Sequence, residues 1–213
     1  MNGEWTLTTF FELGGVFMWP LLAFSIATIA ITIERIAYFL FHNLQVGKLK
    51  NEILSELEKG NLDSITARLA AAPRSHTPAS IFHALLANAG RGEHRMEKAA
   101  ETEALERIRR LENGFNYLTA LASLAPITGF LGTVSGMIGA FKSIANATEV
   151  NAQLVANGIY EALITTVFGL CIAIVALVAY NLLIQKVDTF AAEITKATSD
   201  VTLAILDTQV SQT

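Results

Sequence analysis

Three stretches of the chain are almost wholly apolar, and each is about as long as a helix must be to cross a bilayer. They run over residues 15–41, 117–141 and 158–184. A helix rises about 1.5 Å per residue, so a hydrocarbon core about 30 Å thick takes about 20 residues. The first stretch, GVFMWPLLAFSIATIAITIERIAYFLF, carries Trp19 and Pro20 near one end and Glu34 and Arg35 near the other. Tryptophan favours the membrane interface and proline is tolerated in a first helical turn, while Glu34 and Arg35 either snorkel to the interface or face other helices. Outside these stretches the pattern turns from solid to striped. Leu105, Ile108, Leu111, Phe115, Leu118 and Ala122 recur at helical spacing and lead into the second stretch. Val187, Phe190, Ile194, Val201 and Ile205 carry the third onward in the same way. The pattern predicts an all-α membrane protein with three transmembrane helices and long cytoplasmic helical extensions. The unbroken stripe predicts a single helix from Glu93 to Phe141, roughly 70 Å long, which Pro126 is able to kink. Pro73, Pro78 and Gly90–Gly92 mark breaks between shorter helices.

Charge sets the orientation. Only 16% of the 213 residues are charged, against about 25% in a soluble domain, and they avoid the three apolar stretches. Residues 42–116 hold eleven Lys and Arg, whereas the segment before Gly15 and the loop Ser143–Asn157 hold none. The positive-inside rule then places 42–116 and the tail 185–213, which has Lys186 and Lys196, in the cytoplasm. Segment 1–14 and loop 142–157 fall on the periplasmic side. No Lys or Arg precedes the first apolar run, which is also too long for a signal-peptide core, so it is expected to be retained as a span. A net charge of −4 with no basic stripe gives no reason to expect nucleic acid.

The second and third spans carry small residues at regular intervals. Gly129, Thr133, Gly136 and Ala140 share one helical face, overlapped by Gly132-x-x-x-Gly136; Ala162, Thr166, Gly169, Ala173 and Ala176 share another. Small faces let helices approach closely in lipid, so Gly129, Gly132, Gly136 and Gly169 are helix-packing candidates. Thr133 lies nine residues before Lys142, and Thr166 eight residues after Gly158. In antiparallel spans this puts both hydroxyls about 12–14 Å below the same boundary. Each threonine could simply bond a carbonyl one turn back in its own helix. At one depth, on protein-facing surfaces, the two together suit an ion pathway, because hydroxyls donate and accept hydrogen bonds but do not change charge. Glu161 has two readings: a carboxylate that attracts or relays cations, or an interfacial acid in contact with water.

No enzyme site is expected. His42, His76, His83 and His94 lack metal-ligand spacing, and no glycine-rich loop ends in Lys-Ser or Lys-Thr. Neither a metal nor another cofactor is expected. The lone Cys171 reads as a packed apolar side chain.

Three segments carry a family resemblance. GGVFMWPLLAFSIATIAITIER has paired glycines, Gly14 and Gly15, then Pro20 and a closing Glu34-Arg35. APITGFLGTVSGMIGAF holds a Gly-x-Leu-Gly-Thr-Val-x-Gly core around Thr133. GIYEALITTVFGLCIAIVALVAYN holds Glu161, Thr166 and a closing Asn181. In order and spacing the chain resembles the MotA/TolQ/ExbB proton-channel family, closest to its ExbB/TolQ branch. Ser135 stands where many members have tryptophan, and Thr165 where alanine is common. The resemblance implies a homopentamer of the three-span protein in the bacterial inner membrane, around two single-span ExbD/TolR-like subunits. It also implies a membrane aspartate on that partner which takes up and releases protons, with Thr133 and Thr166 lining its path. Such a machine converts proton motive force into mechanical work on envelope partners, a TonB/TolA-like protein among them. The alternative is a non-conducting membrane scaffold, which explains the spans but leaves the matched depths of the hydroxyls to coincidence.

Overall fold

The computed structural model describes residues 14–73, 75–146 and 152–211. The segment 1–14 therefore lies, Gly14 apart, outside the described residues. The described residues form α-helices α1 (Met18–Phe41), α2 (Val46–Glu58), α3 (Leu62–Ala70), α4 (Thr77–Leu86), α5 (Glu93–Leu111), α6 (Phe115–Asn146) and α7 (Ala152–Ser211), with a short 3-10 turn at Ala89–Arg91. The chain divides into two compact units. One holds the chain up to Glu34 together with Gly114–Leu182; the other holds Arg35–Asn113 and the chain from Leu183 onward. Among the described residues, three helices are long and apolar enough to cross a membrane.

The helices run further than the apolar stretches alone would require. Polarity limits how much of a helix can sit in lipid, not where the helix ends. Thus α6 continues to Asn146 and α7 already begins at Ala152, both inside the expected loop 142–157. The helix α7 is 60 residues long and contributes to both units, the first up to Leu182 and the second from Leu183.

The expected continuous helix from Glu93 to Phe141 is not what the chain forms. It breaks between Leu111 and Phe115, where Gly114 takes φ +90°. Only glycine reaches such a conformation without a steric penalty. Leu111 is buried on one side of the break, and Phe115 and Leu118 on the other. Pro126 lies inside α6, which runs on through it. The break expected around Pro73 and Pro78 lies between α3 and α4: Pro73 falls in it, and Pro78 stands in the first turn of α4, where its missing N–H costs nothing. Gly60 (φ +75°) and Gly92 (φ +90°) separate α2 from α3 and precede α5.

The first unit has a small core and an apolar outside. Met18 and Leu21 of α1 cluster with Ala125 of α6 and with Ile164 and Ile172 of α7; Phe24, Tyr160 and Phe168 pack around them. Phe115 and Tyr180 meet edge to face at 6.0 Å. Meanwhile Ile29, Ile33, Phe130, Ile138, Leu163, Val167, Ile174 and Leu182 are exposed. An apolar skin of this extent belongs against lipid or protein, not water.

The second unit is built like a soluble bundle. Ile53, Ile81, Phe82, Leu85 and Met96 are fully buried. On α7, Val187, Phe190, Ile194, Val201 and Ile205 face inward. Lys50 of α2 donates to Asp200 of α7 at 2.9 Å. Leu183, Phe190 and Ala197, seven residues apart on α7, are buried within this unit.

Candidate ion-pathway site

The site lies in the first unit, where α6 and α7 come closest. From Ala125 onward the buried positions of α6 are Ala125, Gly129, Gly132, Gly136 and Ala140. A side chain at almost any of them would collide with α7. A Cβ added to Gly129 would stand 2.7 Å from the Thr165 carbonyl oxygen and 3.1 Å from Thr166 Cα. At Gly132 it would meet Thr165 Cβ at 2.6 Å, and at Gly136 the Gly158 carbonyl oxygen at 2.9 Å. The relation is reciprocal. A Cβ on Gly169 would stand 2.5 Å from the Ala125 oxygen, and one on Gly158 2.6 Å from Ala140 Cβ. Glycine and alanine are here because backbone packs on backbone, which is how helices gain attraction in lipid.

Hydroxyls are set into this seam. Thr165 is fully buried, and its Oγ1 lies 3.2 Å from the Gly129 carbonyl oxygen and 2.9 Å from that of Ala162. Thr166 Oγ1 lies 3.4 Å from the same Gly129 oxygen. One carbonyl of α6 thus faces two hydroxyls of α7. Thr133 is half-buried, one residue past the Gly132 contact, and donates to Phe130 O at 2.7 Å within its own helix. Since Gly132 opposes Thr165, Thr133 and Thr166 differ in level by about 3 Å, at 1.5 Å per residue on antiparallel helices.

Glu161 is elsewhere. Its side chain runs beside Gly15, just before α1, and its Oε1 occupies the place a Gly15 Cβ would take; Cδ would lie 2.9 Å from that position. Gly15 has φ +64°, so two conditions hold a glycine there. The structure thus brings together Gly129, Gly132, Gly136, Gly169 and Thr166, sets Thr133 beside them, and puts Glu161 at the start of α1. Sequence reasoning passed over Thr165, the most deeply buried hydroxyl of the seam. Its signal was available: it stands three residues after Ala162 and four before Gly169, both on the small face.

Residues 62–196 match the pattern of the MotA/TolQ/ExbB proton channel family. That range contains Thr133, Glu161, Thr165 and Thr166 but neither α1 nor Gly15. The ExbB-like 1 protein of Synechocystis sp. is 32% identical over 187 residues, 84% of this chain and 72% of the relative. The Tol-Pal system protein TolQ of Haemophilus influenzae is 44% identical over 81 residues, 38% of this chain and 36% of its own. The biopolymer transport protein ExbB of Pseudomonas putida is 36% identical over 107 residues, 49% of this chain and 32% of its own. With its apolar helices, its glycine seam and these relatives together, the chain belongs to the MotA/TolQ/ExbB proton channel family, on its ExbB/TolQ branch.

Proposed function

We propose that the chain is the channel subunit of an inner-membrane motor that converts proton motive force into mechanical work on envelope partners, and that it catalyses no covalent reaction. In this reading five copies surround two single-span ExbD/TolR-like subunits, with the amino terminus periplasmic and the carboxy terminus cytoplasmic. The observation that carries it is the pairing of Thr165 and Thr166 on the Gly129 carbonyl, inside otherwise apolar spans, with Thr133 one residue past the Gly132 contact. Hydroxyls that donate to carbonyls keep oxygen lone pairs to accept from water or from a protonated carboxyl. A partner carboxyl can rest beside this polar strip when neutral and is driven from it when ionised, because a buried charge is expensive. Each proton moved down about 100 mV supplies about 2.3 kcal/mol, before any pH gradient.

The scaffold reading has one observation in its favour: Thr133, Thr165 and Thr166 all find partners among the chain's own carbonyls. Proton flux separates the two. The chain is co-reconstituted in liposomes with a single-span ExbD/TolR-like subunit, and potential-driven proton uptake is measured. Uptake that falls when Thr133 or Thr166 becomes alanine, in complexes of unchanged stoichiometry by native mass spectrometry, supports the motor. Unchanged uptake, or none in any preparation, supports the scaffold.

A further inference from the structure

In the second unit, the carboxy-terminal end of α1 and the last turns of α5 enclose a small polar cavity. Tyr38, His42, Thr77, Arg107, Arg110 and Leu111 line its volume of about 110 Å³. The lining brings two guanidinium groups, an imidazole and two hydroxyls, and no carboxylate. Both arginines are braced from one turn back on α5. Arg107 donates through Nε and a terminal nitrogen to Glu103 at 2.7 Å, and Arg110 pairs with Glu106. A guanidinium has five N–H donors in a rigid fork, so each keeps donors beyond those pairs. The opposite wall is also held in place. The His42 ring stacks on Tyr38 at 3.8 Å, with Nδ1 2.9 Å from the Tyr38 carbonyl oxygen. The Arg35 guanidinium carbon lies 4.9 Å from the centroid of the same Tyr38 ring.

Sequence position fixes the level of this cavity. Tyr38 and His42 stand where the apolar α1 ends, and Leu111 stands four residues before the apolar α6 begins. That is the height at which lipid headgroups meet water, whichever side of the membrane it faces. We propose that the cavity is a phosphate-binding site, whose ligand is the headgroup phosphate of an anionic phospholipid. Arginine forks match the tetrahedral array of phosphate oxygens, and basic pockets beside membrane helices hold such headgroups. Glu103 and Glu106 orient the forks and also weaken the site by partial neutralisation.

The test is native mass spectrometry of the detergent-extracted protein, with whatever subunits co-purify, titrated with phosphatidylglycerol, phosphatidylcholine or inorganic phosphate. Phosphatidylglycerol should be retained at concentrations about tenfold or more below those needed for phosphatidylcholine, whose choline brings a cation against the arginines. Arg107→Gln with Arg110→Gln should erase that preference; Glu103→Gln with Glu106→Gln should strengthen it and serves as the reading if the arginine variant does not fold. Inorganic phosphate binding with the same dependence on both pairs, without lipid preference, would support the phosphate site and assign its source to solution. Equal retention of the two lipids without phosphate binding, or a preference indifferent to both double substitutions, overturns the proposal.

Discussion

Replacing Gly132 with alanine adds one methyl group where the structure has room for none. The new Cβ would lie 2.6 Å from Thr165 Cβ and 2.9 Å from Thr165 Cγ2. Carbons in contact prefer about 3.5–4.0 Å, so the shortfall is about 1 Å. A change of Thr165 rotamer cannot supply it, because Cβ is fixed to the backbone; α6 and α7 must part. Overpacking of this kind costs about 1–3 kcal/mol, and a backbone-limited clash belongs at the upper end. Alanine returns about 1 kcal/mol through helix propensity, leaving a net loss of about 2 kcal/mol. Gly139 is the control: it lies in the same helix with nothing within 4 Å of its would-be Cβ. Gly139→Ala should therefore be neutral or stabilising by up to about 1 kcal/mol. The decisive comparison is a double-mutant cycle with Thr165→Gly, which removes the opposing Cβ. Unfolding in mixed micelles should show the pair to be less destabilised than the sum of the singles by at least about 1 kcal/mol, against the roughly 0.5 kcal/mol scatter of independent sites. Additive effects, or a Gly132→Ala variant as stable as Gly139→Ala, would refute the reasoning.

Four further expectations follow the same logic. Thr165→Val keeps the shape but removes the hydroxyl shared between Gly129 and Ala162; it should lower unfolding stability by about 1–3 kcal/mol, and a neutral result would mean that these bonds contribute nothing net. Thr133→Ala loses only a bond within its own helix, so stability should stay within about 0.5 kcal/mol while proton uptake falls. Lys50→Met should cost no more than about 1 kcal/mol, shrinking further in high salt, since both partners in its pair with Asp200 are partly exposed; an unchanged penalty in 1 M salt would show that packing of the lysine stem matters more. The Glu56 carboxyl is held below the usual glutamate value, first by its hydrogen bond from Lys59 and then by that from Asn61. Its small contribution should be present above the unfolded glutamate range and lost as pH falls through the depressed value; a carboxyl NMR titration with an ordinary midpoint would contradict this.

The spans were legible because lipid demands long apolar runs, a requirement visible without any knowledge of packing. The extension of α7 was legible for a related reason: Val187, Phe190, Ile194 and Val201 keep the helical period after the apolar run ends. The break at Gly114 was not read, because Leu111, Phe115 and Leu118 continue the stripe across it. Periodicity reports which residues are buried, and buried residues can flank a turn as well as share a helix. The dipeptide Asn113-Gly114 was the local signal for that turn. In the site, glycine spacing pointed to the close face, yet it could not say which of two adjacent threonines would be fully enclosed. A rotation of one residue, about 100°, separates Thr165 from Thr166, and only the partner helix decides between them. Glu161 posed a different difficulty. Its neighbour Gly15 is remote in sequence, and a glycine leaves no side chain to advertise the contact.

That contact also bears on how sequences of this kind can diverge. Glu161 has its place only while position 15 lacks a side chain, and Gly15 is doubly constrained by the carboxylate and by φ +64°. A lineage that acquires any other residue at 15 evicts the carboxylate, so selection would favour shortening or losing the acid at 161 soon afterwards. The two positions should drift as a linked pair, although one lies before the first helix and the other within the last.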